Sequence, residues 1–446
     1  MADMVVLPFT RISEPMRSWF SVPTKAPETS KDGGAKTMPV LLPSLLFLIG
    51  IIAYADRQII ALLKPELDRV FGWTAADYAS ISSWSQVTIA VSLLVSGVIV
   101  DRLGVKRTLG VGLIGWSIST ILHAAVRTVT GFLVVRVTLG LFEGVGTPAG
   151  ITAIRKTFPR QAQGCVIGLL NAAPNLAAMG TPLLVAFLFP ALGWRGTIVT
   201  IGASGLFCAF LWFRFARVGS AEVSVLAPGD TDKPTLPTWR IITGFALGKF
   251  LTDPVWWFLL FWLPDLLHRH FALEPSSMGI PLAIAYGMAG IGSILGGYAP
   301  YLLMKTSCMH EPARRVVMAF AALCVLPLPL LATTPSLAFG IAICGLTLAA
   351  HQAFAANLFG FITEWAPSRM TGRATGVGAF AGNMGGALML HLLGYFAAPN
   401  QSMTPVFVYC AVAYILGWCG LTFFAPVRKL RSGCEDPRLN RPVPKA

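Results

Sequence analysis

The chain has 446 residues, 55% of them hydrophobic and only 12% charged. An ordinary soluble domain is about 25% charged, so this composition excludes a soluble globule. The net charge of +14 would suit nucleic acid, but the basic residues gather in the tails and in alternate connections between apolar stretches, and that asymmetry belongs to a membrane protein with no nucleic-acid surface.

Residues 1–37 are polar and basic and contain no apolar signal-peptide core, so they read as a disordered cytoplasmic tail. A helix crossing the ~30 Å hydrocarbon core needs about 20 apolar residues. Twelve such spans follow, at about 40–63, 78–100, 108–126, 130–152, 165–188, 197–214, 241–266, 280–303, 316–333, 336–362, 374–397 and 404–425. The ~10-residue alternation of a membrane β-barrel is absent. A polar break at 215–240, with Pro228, Gly229, Pro234 and Pro237, separates a six-helix bundle at 38–214 from a second at 241–425. Residues 426–446 form a basic tail whose Arg428, Lys429 and Arg431 would lie against anionic lipid. The positive-inside bias places both termini in the cytoplasm. The expected fold is therefore all-α and integral to the membrane, with twelve transmembrane helices in two pseudo-symmetric six-helix bundles.

The first span contains Tyr54-Ala55-Asp56-Arg57. A charged residue at the centre of a membrane helix costs roughly 2.5–3.5 kcal/mol on insertion scales and faces the protein interior or a watery cavity. With Lys64 taken as the outer end of span one, Arg57 lies roughly 10 Å inside. With span four entering near Thr130, Arg136 lies roughly 9 Å inside and Glu143 roughly 20 Å, so Asp56, Arg57 and Arg136 can meet at similar depth, and Arg136, Gly140 and Glu143 lie close to one face. All four charges ionised make a neutral set. Protonating Asp56 and Glu143 would leave two arginines, whose forked guanidinium groups suit a carboxylate. Two further charges, Lys249 and Asp253, sit one turn apart in span seven, either as a structural pair or as part of a site or gate.

The connection after span two reads Gly97-x-x-x-Asp101-Arg102-x-Gly104-x-Lys106-Arg107. An internal repeat supports the division into halves: Phe158-Pro159, Gly164, Gly168 and Asn175 recur at one constant offset as Ala366-Pro367, Gly372, Gly376 and Asn383, and on that offset Glu143 corresponds to His351. Arg314-Arg315 stands as a weakened echo of the Asp101 loop in the second half. The eight Cys have no metal spacing and read as small apolar packers. No His-Glu-x-x-His or Gly-x-Ser-x-Gly pattern suggests an enzyme.

With these residues in place, the chain resembles the anion:cation symporter branch of the major facilitator superfamily and is most similar to bacterial hexuronate transporters. The motifs are Tyr54-Ala55-Asp56-Arg57, the Asp101 loop, Arg136-x-x-x-Gly140-x-x-Glu143-Gly144 with Pro148-Ala149-Gly150, Thr252-Asp253-Pro254-Val255-Trp256-Trp257-Phe258 continuing to Phe261-Trp262-Leu263-Pro264, and Ala350-His351-Gln352 with Ala356-Asn357-Leu358-Phe359. The resemblance covers about residues 38–425. It implies alternating access in a bacterial inner membrane and import of a small organic anion with protons as the coupling ion and no other cofactor. A sugar acid such as a hexuronate or aldonate is the expected substrate, and a monomer is expected. It further implies that Arg57 and Tyr54 contact substrate, with Arg136, Asn175, Trp257, His351, Gln352 and Asn357 as further substrate-binding residues. Asp56 and Glu143 would be the proton-coupling pair, and Asp101, Arg102, Lys106, Lys249 and Asp253 gating residues.

Several positions depart from the pattern. Ile89 stands where relatives carry an aromatic, Thr152 where hexuronate transporters often have Lys, Arg160-Gln161-Ala162-Gln163 where a basic-acidic-Arg pattern is usual, and Asp265 where a neutral or basic residue is usual. A smaller or aromatic carboxylate therefore stands as an alternative substrate. A proton-driven drug exporter and a transporter-like sensor are the alternative functions. Trp256, Trp257 and Trp262 could equally pack or stack on a ligand, and His351 could be structural.

Overall fold

A computed structural model describes residues 38–158, 160–219, 237–306, 313–365 and 368–426. The tail at 1–37, Pro159, most of the 215–240 linker, Ala366-Pro367 and the basic tail from 427 onward lie outside the described residues, as do the side chains of Arg160, Gln161 and Ala162. Among the described residues the regular elements are helices: α1 (Met38–Phe71), α2 (Ala75–Leu103), α3 (Val105–Leu122), α4 (Val129–Glu143), α5 (Gly146–Thr157), α6 (Arg160–Phe215), α7 (Thr238–Phe271), α8 (Gly279–Thr306), α9 (Ala313–Val325), a 3-10 turn (Leu328–Ala332), α10 (Leu337–Trp365), α11 (Ser368–Phe396) and α12 (Thr404–Phe424).

Ten of the described helical segments are long and apolar enough to cross a membrane. One of them, 166–215, is two passages joined where Gly193 leaves the helical region at φ 64°. The 18-residue α3 packs among these helices and completes twelve passages. Two passages are broken by proline. Pro148 lacks the N–H that would bond to the Gly144 carbonyl, and the fourth passage divides into α4 and α5 there; Ser92 Oγ donates to the Leu141 carbonyl at 2.6 Å just before the break. Pro327 and Pro329 likewise end α9 and leave only the 3-10 turn.

Small residues set the helix spacing. A side chain at Gly140 of α4 or at Gly144 just past its end would collide with Thr88 or Ser92 of α2, and one at Gly292 or Gly296 of α8 would collide with the backbone of Ala349 or Ala353 in α10. These are the close approaches that van der Waals packing demands inside a bilayer. The two halves also share a helix-end lock. The Trp212 indole donates to the Lys106 carbonyl at 3.0 Å, and the Trp418 indole donates to the Arg315 carbonyl at 3.0 Å. Arg315 thus occupies in the second half the place Lys106 holds in the first, as the faint sequence echo suggests.

The halves form a wedge. At one end, Gly394 of α11 packs on Ala76 and Ala79 of α2, and Gly279 of α8 packs on Pro182, Leu183 and Ala186 of α6. Toward the other end, the end of the Asp101 loop, Gly97, Gly168, Gly297 and Gly376 on the same four helices face open space. The closed end is pinned by charge. Lys64 ends no helix, because α1 continues to Phe71. Its ammonium is wholly buried, 2.7 Å from Asp265 of α7 and 2.5 Å from Asp68, with the rings of Tyr78 and Trp262 5.3 and 5.6 Å away. Arg269 completes the network 2.9 Å from Asp265, and the Tyr78 hydroxyl donates across the halves to the Phe261 carbonyl at 2.8 Å.

Removing one member of a buried pair strands the other charge, which costs far more than the pair contributes. A double-mutant cycle of Lys64→Ala and Asp265→Ala, read from unfolding of the detergent-solubilised protein, is expected to give a coupling of about 1–3 kcal/mol. Additive losses would show that the pair does not act as a unit. Gly296→Leu is expected to lower the unfolding temperature by several degrees, since its side chain would enter the α10 backbone; Gly297→Leu, which faces open space, serves as the control.

Candidate functional site

The charged residues of α1, α4 and α7 meet at mid-height, between the closed end and the open one. Arg57 and Glu143 form an ion pair through Nε and Oε1, with the arginine side chain 13% exposed and the glutamate 1%. The guanidinium lies 4.9 Å from the Tyr54 ring, one turn back on α1, and 5.6 Å from the Trp257 ring on α7. An aromatic ring from each half thus flanks one partly open cation, held by one carboxylate. Guanidinium groups stack well on aromatic faces.

Arg136 is placed differently from Arg57. It is buried, and its two terminal nitrogens donate to the main-chain carbonyls of Asp56, at 2.9 Å, and Arg57, at 2.6 Å. It fastens α4 to α1 behind the site and sets the level at which Arg57 meets Glu143. Asp56 points into the same interior and is completely buried, beside the Thr120 hydroxyl of α3. The second Glu143 oxygen has no hydrogen-bond partner among the described residues.

On the opposite wall, Lys249 Nζ lies 2.6 Å from Asp253 Oδ2, both residues being more than nine-tenths buried. Asp253 rests where Gly382 of α11 leaves room, and Trp257 rests against Gly386 in the same way. The second Asp253 oxygen and the Trp257 indole nitrogen have no partner among the described residues. His351 bonds through Nδ1 to the Tyr414 hydroxyl at 2.8 Å and stacks on Trp256 at 5.5 Å. That gives it a fixed place in the second half rather than on the Arg57 side.

The repeated asparagines bridge the halves. Asn175 Oδ1 accepts from Gln352 of α10 at 3.0 Å, and Asn383 Oδ1 accepts from Gln86 of α2 at 3.0 Å. Asn357 is fully buried, donating to the carbonyls of Gly296 and Ala353 at 2.8 Å each and so joining α10 to α8. Asp101 and Arg102 are exposed at the open end and Lys106 is half-buried there, around Gly104, whose φ of 79° makes the turn from α2 to α3. Ile89 is buried, and the Thr152 hydroxyl bonds to its own helix at the Pro148 carbonyl, 2.8 Å away. Sequence reasoning did not find the Lys64–Asp265 pair. Its signals were an extra lysine at the assumed end of span one and the unusual aspartate at 265.

Comparisons with known proteins agree with this architecture. A probable L-galactonate transporter of Escherichia coli strain K12 is 24% identical over 88% of this chain and 90% of its own length. A hexuronate transporter of Bacillus subtilis is 28% identical over 60% and 66%. A probable galactarate/D-glucarate transporter of Bacillus subtilis is 21% identical over 90% and 95%. Among solved structures, a D-xylose-proton symporter superimposes with a TM-score of 0.70 at 12% identity, covering 86% of this chain and 97% of that one. The inward-open xylose transporter of E. coli gives 0.68 at 13% identity, covering 87% and 97%; at that identity the likeness is one of fold. Residues 46–389 match the Major Facilitator Superfamily, and the chain is a member of that family of multi-pass membrane transporters, not an enzyme.

Proposed function

We propose that the protein is a proton-coupled symporter that imports a sugar acid, such as a hexuronate or an aldonate, across a bacterial inner membrane by alternating access, with both termini in the cytoplasm. The observation that carries this reading is the Arg57–Glu143 ion pair set between Tyr54 and Trp257. While Glu143 is ionised, it competes with any anion for the guanidinium. A proton on Glu143 removes the competing charge and leaves the forked donor set of Arg57 to a substrate carboxylate. Anion binding and proton binding then favour each other, which is the coupling a symporter needs. Asp56, completely buried, is the second group whose charge is costly at that depth and the second proton carrier. Sugar hydroxyls would meet the amide groups of Gln352 and Asn175 on the cleft wall. The relatives that transport galactonate, hexuronates and glucarate support a carboxylated sugar as cargo. The wedge, open toward the basic Asp101 loop, then corresponds to an inward-facing state. Protons are the coupling ion in this reading, and a monomer is its functional unit.

Uptake into proteoliposomes with an imposed pH gradient, acidic outside, tests this reading across labelled aldonates, uronates and aromatic acids. Gradient-driven accumulation of a sugar acid is the expected outcome, and accumulation indifferent to the gradient would remove the symport claim. Glu143→Gln is expected to abolish gradient-driven accumulation while retaining exchange of labelled for unlabelled substrate. Arg57→Lys, which keeps the charge but loses the bidentate fork, is expected to weaken substrate binding by at least about tenfold.

A further inference from the structure

The two halves are packed differently at the closed end. In the first half, four rings gather beyond the last turn of α1. The Phe71 ring stacks on Trp73 with centroids 5.9 Å apart and meets Phe132 and Trp194 edge-on, each at 5.5 Å, and Trp73 meets Phe132 at 4.8 Å. The second half starts from the same plan. α7 ends at Phe271 as α1 ends at Phe71, and the next residue turns the chain with a positive φ in both, 64° at Gly72 and 53° at Ala272. Beyond that point the rings are missing. Leu273 follows where Trp73 follows in the first half. On the offset that relates Glu143 to His351, Phe132 corresponds to Gly340 and Trp194 to Ser402.

Closer packing takes up part of the lost volume. The Phe271 ring and the Leu331 side chain rest on the bare backbone at Gly340, 3.2 and 3.3 Å from where a side chain would begin. The remainder is open. A cavity of about 420 Å³ lies between the end of α7, the 3-10 turn, the end of α11 and the start of α12. A water molecule takes about 30 Å³, and ligand pockets begin near about 300 Å³, so the space is of a size for a small organic molecule. Phe271, Leu331, Phe396, Met403 and Phe407 form apolar walls, and Ser402 stands among them. Tyr54, Arg57, Glu143 and Trp257 do not line it.

Arg269 brings a charge to this cavity, with its side chain 42% exposed. Its Nε lies 2.9 Å from Asp265, and one terminal nitrogen donates to the Ala397 carbonyl at 2.7 Å. The other terminal nitrogen has no partner among the described residues. The wall carboxylate, Asp265, is already shared between Arg269 and Lys64, and His270 is turned to the Thr334 carbonyl through Nε2 at 2.7 Å. A guanidinium fixed by two acceptors and open at its remaining edge is preorganised for an anion.

We infer that this cavity is a second ligand site, separate from the Arg57 site, and that it takes an aromatic acid. The flat apolar body of the ligand occupies the space that the first half fills with its own rings, and its carboxylate meets the open edge of Arg269. An aromatic side chain buries about 150–250 Å², and the second half leaves that gain to a ligand. The inference does not depend on which cargo the central site carries. The site adjoins the contact between the halves, because a carboxylate on Arg269 stands beside Asp265, the partner of Lys64.

The test is equilibrium dialysis of labelled 2-naphthoate against the purified protein in detergent, with protein-free micelles as the blank. Saturable binding is expected, with the neutral analogue 2-naphthylmethanol at least about tenfold weaker. Arg269→Gln is expected to weaken 2-naphthoate at least about tenfold and to leave the alcohol unchanged. Ser402→Trp restores one ring of the first half and keeps Arg269. It is expected to weaken both ligands at least about tenfold without lowering the unfolding temperature, since it fills the cavity, and it separates loss of the site from misfolding of the Arg269 variant. Excess gluconate is expected to leave 2-naphthoate in place. Absence of saturable binding, equal binding of acid and alcohol, or undiminished binding by Ser402→Trp overturns the inference and leaves the sugar-acid reading standing. Displacement of 2-naphthoate by gluconate also overturns it, by placing the aromatic acid in the central site.

Discussion

The interior of this protein depends on the contact between α1 and α4. A guanidinium placed among apolar helices needs acceptors, and Arg136 finds them in the main-chain carbonyls of Asp56 and Arg57. That clamp fixes the height and rotation of α1 against α4. Only with it in place does Arg57 reach Glu143 while keeping its face turned to Tyr54 and Trp257. Two arginines of the same charge thus divide the work: one gives both terminal nitrogens to main-chain carbonyls, the other is held by a single carboxylate that a proton can neutralise. The separation follows from what surrounds each, since Arg136 is buried behind α1 and Arg57 borders the cleft.

The architecture was legible in the sequence to the extent that it depends on hydropathy. Long apolar runs and the polar break at 215–240 locate twelve passages and their division into halves, because hydrocarbon tolerates little else. Passage ends were less legible. Lys64 marks a membrane boundary if it is read alone, yet α1 runs on to Phe71, because Asp265 on a distant segment of the chain supplies the opposing charge. A pairing of that kind has no local signature. The same limit applies to polar residues within spans. Asn357 and Gln352 lie on one helix, five residues apart. One joins α10 to the α8 backbone while the other crosses the cleft to Asn175, and only helix packing separates those fates.

The internal repeat was more informative than its faintness suggested. Asn175 and Asn383 sit at equivalent places in the two halves, and each accepts a hydrogen bond from a glutamine of the opposite half. The paired indole-to-carbonyl bonds at Lys106 and Arg315 repeat in the same manner. What recurs is therefore a set of fastening points, and the ionisable groups differ between the halves. Glu143 corresponds to His351, which is committed to Tyr414 and Trp256, and the second half draws its carboxylate from α7 instead.

The two amide bridges have a mechanical consequence. They lie on opposite flanks of the cleft, one joining α6 to α10 and the other α2 to α11, so the line through them is an axle. Two bodies joined along an axle move as a seesaw, and what one rim gains in width the other loses. With arms of roughly 15 Å to either rim, a rocking of about 20° would shift each rim by about 5 Å, which is enough to part the Lys64–Asp265 clasp and to bring the glycine-lined rim together. Because amide bonds can pivot where packed side chains would have to shear, the two bridges would let the halves rock while staying joined.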